Sequence, residues 1–155
     1  MNVRIMKESD LNKVAQVHTN AFTRQRHSKE WLSCTFKASP RTLCFVIEQD
    51  NKIQGYIIWA QKSGFRSEVV LELEQIAIDP SQQNMGFGQC LIEHSLSQVK
   101  DKIASLGSRV KHVLVSTRAD NHAQQIYRRV LGAEVEATIS NLFSADEVYM
   151  VARNV

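Results

Sequence analysis

The sequence predicts an α/β fold with α+β character: a single central mixed, mostly antiparallel sheet flanked by helices on both faces. Three observations carry that expectation. Short β-branched and apolar runs alternate along the chain with longer stretches whose apolar residues recur at helical spacing. One such run ends at Asp79-Pro80 and delivers a glycine-containing loop, Gln83-Asn84-Met85-Gly86-Phe87-Gly88, straight to a long amphipathic pattern. Two other runs flank Asp50-Asn51, a dipeptide suited to a hairpin turn.

Taken in order, Val3-Arg4-Ile5 reads as a short strand. Ser9 is placed to cap a first helix, with Asp10 in its first turn and Leu11, Val14, Ala15, His18, Ala21 and Phe22 on one side. A second helix is expected over residues 28–37, stopped by Pro40. Residues 43–49 and 53–61 form the hairpin around Asp50-Asn51, Ser63-Gly64 turns the chain again, and the next strand covers 68–78. After the glycine loop, Phe87, Leu91, Ile92, Ser95, Leu96, Val99, Ile103 and Leu106 share one helical face, and Gly107 is a suitable stop. Val113-Leu114-Val115 is a short buried strand. Asp120 is placed to cap a helix carrying Ala123, Ile126, Tyr127 and Val130, which ends near Gly132. Residues 135–139 and 147–151 close the sheet, giving the order βααβββαβαββ.

Composition bounds what the chain can be. With 155 residues and 43% hydrophobic content, residues 1–155 suit one domain with a substantial core. No apolar run approaches the roughly 18 residues that a spanning helix needs. Met1 leads into folded-looking sequence without an apolar signal segment, so a cytoplasmic protein that engages no membrane is expected. Cys34, Cys44 and Cys90 are odd in number and unpaired in spacing, which fits free thiols. The net charge of +3 is mild, and the basic residues are scattered apart from Arg24-Gln25-Arg26-His27 and Arg128-Arg129. That pattern argues against a nucleic-acid surface. There is no H-x-x-H, C-x-x-C or acidic cluster at ligand spacing, so no metal site is expected.

The loop from Gln83 to Gly88 is where chemistry enters. The first peptide N–H groups of a helix lack internal partners, and the helix dipole adds positive potential at the same end. A strand that delivers a glycine loop to such an end builds a phosphate site, and Gly86 and Gly88 let phosphates approach the backbone closely.

With these residues in view, the chain resembles the GNAT superfamily of acyl-CoA-dependent N-acetyltransferases. That family's Q/R-x-x-G-x-G/A signature stands complete as Gln83-Asn84-Met85-Gly86-Phe87-Gly88, preceded by Ile76-Ala77-Ile78-Asp79-Pro80. A second family element, a tyrosine helix after an Asn-x-x-Ala start, corresponds to Asp120-Asn121-His122-Ala123 followed by Tyr127. Two departures stand out: Asp120 occupies the usual Asn position with Asn121 one step later, and Tyr127 to Gly132 is one residue longer than usual, with Ala133 for Phe.

The resemblance implies acetyl-CoA as co-substrate, a primary amine of a small molecule or peptide as acceptor, and direct attack in a ternary complex. Gln83 and the backbone N–H groups from Asn84 through Met85, Gly86, Phe87 and Gly88 to Gln89 would hold the pyrophosphate. Ile76 and Ile78 would pair with the pantetheine amides as an added strand, and an N–H near Ile76 or Ala77 would polarise the thioester carbonyl. Asn121 is a further cofactor contact. Tyr127 would give a proton to the thiolate, the alternative being a plain core residue beside Ala123 and Val130. Glu72 and Glu74 share one strand face and are both candidates for the base; the alternative is solvation on an open strand face or pairing with a nearby Arg. His18 reads as a satisfied histidine rather than a base.

In this fold the acceptor groove is built from residues 23–40, 62–67 and 140–146. The first segment lies beside Phe22, carries Trp31 and Phe36, and, with Arg41 at its end, has more basic (Arg24, Arg26, Lys29, Lys37, Arg41) than acidic (Glu30) charge. A small neutral or acidic amine or a peptide N-terminus therefore ranks above an aminoglycoside polycation. The rivals are an acyl-CoA-binding module that senses without catalysing and a ribosomal-protein-type N-terminal acetyltransferase. A homodimer is a further possibility within the family.

Overall fold

In the computed structural model, which describes residues 1–155, seven strands and four helices follow the predicted order. They are β1 (Asn2–Ile5), α1 (Leu11–Ala21), α2 (Ser28–Lys37), β2 (Thr42–Gln49), β3 (Lys52–Gln61), β4 (Glu68–Ile78), α3 (Phe87–Ser105), β5 (Arg109–Arg118), α4 (Ala123–Leu131), β6 (Glu134–Ile139) and β7 (Glu147–Arg153). The strands form one mixed sheet in the order β1-β2-β3-β4-β5-β7-β6. β4 and β5 pair in parallel, whereas β1 with β2, β5 with β7 and β6 with β7 are antiparallel. No helix is long and apolar enough to cross a membrane. The chain divides into two compact units, residues 1–59 with 75–99 and residues 60–74 with 100–155.

The first unit is organised around a cluster that includes Leu11, Val14, Val17, Leu32, Val46 and Ile58, with Phe22 and Phe36 packed against it. α1 turns its Leu11, Val14, Ala15, Val17 and His18 face inward. The hairpin turn is left-handed at Asp50 (φ 52°) and Asn51 (φ 60°), a conformation that Asn and Asp tolerate better than most residues. Trp59, fully buried, donates its indole N–H to the Ser95 hydroxyl at 2.8 Å, fixing β3 against α3.

Ser9 does not cap α1. It lies in a 3-10 turn, Glu8–Asp10, that precedes the helix. Asp10 organises this corner: it accepts the Lys7 amide at 2.8 Å and both prongs of the Arg4 guanidinium at 2.7 and 3.0 Å, while Arg4 also reaches Glu48 at 2.5 Å. A charge-assisted fork outcompetes a neutral hydroxyl cap.

In the second unit, β4 runs beside β5 from Glu68↔Arg109 to Glu72↔Leu114. β7 lies between β5 and β6, paired from His112↔Arg153 to Arg118↔Glu147 on one side and from Glu134↔Val151 to Ile139↔Glu147 on the other. Directly paired residues point to the same face. Val113, Val115, Val148, Met150 and Ala152 make a buried face; Glu72, Leu114, Ser116, Arg118, Glu147 and Tyr149 share the other. β5 is much longer than the three residues expected from the sequence, because its ends are held by these cross-strand pairs rather than by their own hydrophobicity. α4 ends at Gly132 in the left-handed region (φ 70°).

Candidate functional site

The glycine loop belongs to the first unit. Asp79 closes β4, donating its amide to the Gln54 carbonyl at 2.8 Å and accepting the Ser81 amide (3.0 Å) and hydroxyl (2.6 Å). Those bonds, the Ser81 hydroxyl foremost, hold its carboxyl below the usual range. Pro80–Gln82 forms a 3-10 turn, and Gln83, Asn84, Met85 and Gly86 follow with exposed backbone and side chains. Gln83 is tied back to β4 through its side-chain amide and the Ile78 carbonyl (3.3 Å). Asn84 (φ 63°) and Gly86 (φ 83°) are both left-handed, and no atom lies within 4 Å of where a Cβ on Gly86 would sit. Phe87, only 1% exposed, anchors the start of α3, and the first helical hydrogen bond is Cys90 N–H to the Gly86 carbonyl at 3.1 Å. The amides of Phe87 and Gly88 precede that bond, at the helix start where N–H groups lack an internal acceptor. An exposed concave backbone with such amides at a helix start fits an anionic phosphate group.

The end of β4 is held by β3. A Cβ on Gly55 would come within 2.5 Å of the Ile78 Cδ1 and 2.6 Å of the Ala77 carbonyl oxygen, so only glycine permits this approach. Ala77 is buried; Ile76 and Ile78 are half-buried. Beside them lies a polar network that the sequence did not announce. Tyr56 donates its hydroxyl to Gln75 at 2.8 Å. His18, fully buried, is hydrogen-bonded through Nε2 to the Gln25 side-chain oxygen (2.9 Å) and through Nδ1 to the Ser28 hydroxyl (2.8 Å). Burial lowers its pKa. His18 is thus a satisfied core histidine, as its sequence context suggested. Of the apolar residues expected in the acceptor region, Phe22 and Phe36 pack on the core cluster while Trp31 is 45% exposed.

The second unit holds the groups expected to move protons. Glu72 and Glu74 lie two apart on β4; Glu72 is half-buried and ion-paired with Lys62 at 2.7 Å, and Glu74 is exposed. The partner at Glu72 is therefore a lysine, where pairing with an arginine was the expected alternative. Tyr127, on α4, is buried, and desolvation pushes its phenol up to about 12. Asn121 uses both ends of its amide inside the chain: Oδ1 accepts the Ala123 amide just before α4, and Nδ2 donates to Thr117 Oγ1, each at 2.9 Å. Asp120 does not cap α4. The Arg118 guanidinium holds its carboxylate in a fork at 2.9 and 3.0 Å, and the N-cap position falls to His122.

Sequence reasoning also missed Glu147. It is only 6% exposed, donated to by the Ser116 hydroxyl, and burial raises its pKa against smaller opposing effects of Ser116 and Arg118. No local pattern marks it, because its partners sit about thirty residues away on β5. The loops at 62–67 and 140–146 present Phe65 and Phe143 to solvent. No group of three or more His, Cys, Asp or Glu stands together to hold a metal ion.

Comparison with known proteins bears on all of this. The model of the acetyltransferase (GNAT) family matches residues 11–133. No curated protein matches the chain in sequence. Among solved structures, the ribosomal-protein-S18-alanine N-acetyltransferase of Escherichia coli superposes with a TM-score of 0.80 at 20% identity, over 99% of this chain and 93% of that one. An aminoglycoside 6'-N-acetyltransferase complexed with coenzyme A gives 0.78 at 11% identity, over 100% and 98%. Ard1 from Thermoplasma volcanium gives 0.74 at 15%, over 99% and 97%. At these identities the likeness is one of fold.

Proposed function

The chain belongs to the GNAT acetyltransferase family, and from that premise we propose that residues 1–155 act as one catalytic domain that transfers an acetyl group from acetyl-CoA to a primary amine. The acceptor is a small molecule or a peptide, and the amine attacks the thioester directly in a ternary complex. The observation that carries this reading is the exposed loop at residues 83–86, left-handed at Asn84 and Gly86, running into the start of α3.

Each step has a group suited to it. The pyrophosphate takes its hydrogen bonds from backbone N–H groups between Asn84 and Gln89 and from the Gln83 side chain, with the helix dipole adding attraction. The pantetheine lies along β4, its amides paired with Ile76 and Ile78, and an N–H at Ile76 or Ala77 polarises the thioester carbonyl. Gly55 supports this assignment, because its close approach fixes the backbone of Ala77 and Ile78. Asn121 holds the first amide of the Tyr127 helix through its side-chain oxygen. Tyr127 gives a proton to the departing thiolate; its raised pKa keeps the phenol protonated at neutral pH, ready to donate. The amine proton passes to a carboxylate on the open face of the second unit, where Glu72 and Glu74 were expected and Glu147 also lies.

A panel of amines tests the reading: alanine, an alanyl tripeptide, spermidine and kanamycin, each with acetyl-CoA, assayed for free thiol. Release of CoA with at least one amine, faster than hydrolysis alone, is expected, with alanine or the tripeptide ahead of kanamycin. Tight acetyl-CoA binding with no release for any amine would point instead to a module that senses acyl-CoA.

A further inference from the structure

We propose that Glu147 is the carboxylate that takes the proton from the acceptor amine, a role that rests on the transferase reading above. Three carboxylates compete on this face. Glu72 is paired with Leu114, and Leu114 is paired with Val151 on β7, so Glu72, Glu147 and Tyr149 point the same way. Glu72 already has its carboxylate occupied by the Lys62 ammonium at 2.7 Å. Glu74 is exposed. Glu147 differs from both: it keeps only 6% of its surface accessible, and its hydrogen-bond donor is the neutral Ser116 hydroxyl.

The surroundings explain why no cation cancels it. From β5, Glu147 faces Arg118 and Ser116. The Arg118 guanidinium is turned to Asp120, which it grips with two hydrogen bonds. From β6 the paired residue is the uncharged Ile139, and along β7 the next side chain on this face is Tyr149. The other buried carboxylate in the chain, Asp10, lies in the first unit and is saturated by Arg4 and the Lys7 amide. Glu147 is therefore a carboxylate held out of water without a dedicated cation, and the direction of its pKa shift agrees.

The chemistry balances as follows. The acceptor arrives as an ammonium ion and gives one proton to Glu147, freeing its lone pair. Nitrogen attacks the thioester carbon, a C–N bond forms, and collapse of the tetrahedral intermediate breaks the C–S bond. The nitrogen sheds its second proton to solvent as Tyr127 gives one to the thiolate and is reprotonated.

The test is the pH profile of kcat/KM for the fastest amine of the panel, measured for wild type, Glu147→Gln and Ser116→Ala, with acetyl-CoA affinity measured alongside. Glu147→Gln is expected to lower kcat by 100-fold or more, with acetyl-CoA affinity unchanged and the acidic limb of the profile gone. Ser116→Ala removes a hydrogen bond that favours the ionised carboxylate, so its acidic limb moves to higher pH, which a purely structural role for Glu147 would not produce. Wild-type turnover with Glu147→Gln within threefold of it, or an unmoved limb in Ser116→Ala, would overturn this proposal alone. A wild-type protein that releases no CoA with any amine would overturn the transferase reading and this one with it.

Discussion

Tyr127 and Gly86 carry the account at opposite ends of the chemistry, and each can be changed by a few atoms. Tyr127→Phe removes only a hydroxyl from a buried ring, so the fold should tolerate it. Turnover should fall by about 10- to 1,000-fold with little change in acetyl-CoA affinity, because the proton is needed only as the thiolate forms. Initial rates and a binding titration on the same preparation check this; unchanged turnover would remove Tyr127 from the mechanism. Gly86 sits at φ 83° over open space. Gly86→Ala should lose about 1 kcal/mol to left-handed strain, a few degrees of melting temperature, and at least tenfold in acetyl-CoA affinity as the methyl group crowds the phosphate. Asn121→Ala should cost about 1 kcal/mol through the loss of its hydrogen bonds to Ala123 and Thr117, read as a lower melting temperature. The glycine loop and Tyr127 were legible in the sequence because the motif is local. Glu147 was not, since its environment is made by strands distant in sequence.

Among the elements, those with strong periodicity were read almost to the residue: α2, β4 and the α3 start match their expected bounds. Where tertiary contacts decide, the sequence misled. The beginning of α1 is set by Arg4 and Glu48, which lie on other elements, and not by Ser9. The long β5 is set by its pairing with β7. The Arg4–Asp10 corner has a pH consequence. Arg4 holds the Asp10 carboxyl below its ordinary value, so the native state favours the ionised form. Its contribution is therefore fully present above the unfolded pKa of about 3.9 and is lost as pH falls through the lower, folded value. Asp10→Asn should destabilise the protein by about 1–2 kcal/mol at neutral pH. Denaturant midpoints taken down to pH 2–3 should show that difference shrinking; a constant difference would mean the corner contributes through packing and not charge.

For the molecule as a whole, the fold class and element order were legible because helical and strand periods alternate cleanly along the chain. The insertion of β7 between β5 and β6 was not, because strand order depends on which edges meet. The acceptor is the least legible part, since exposed Trp31, Phe65 and Phe143 mark apolar surface without naming a substrate. The central claim is that the loop at 83–86 and the start of α3 hold the phosphates of acetyl-CoA. Calorimetric titration of the wild-type protein with acetyl-CoA tests it most directly. The account predicts saturable binding with a Kd on the order of micromolar, about −8 kcal/mol, weakened at least tenfold in Gly86→Ala. No heat of binding, or equal affinity in the two proteins, would contradict it.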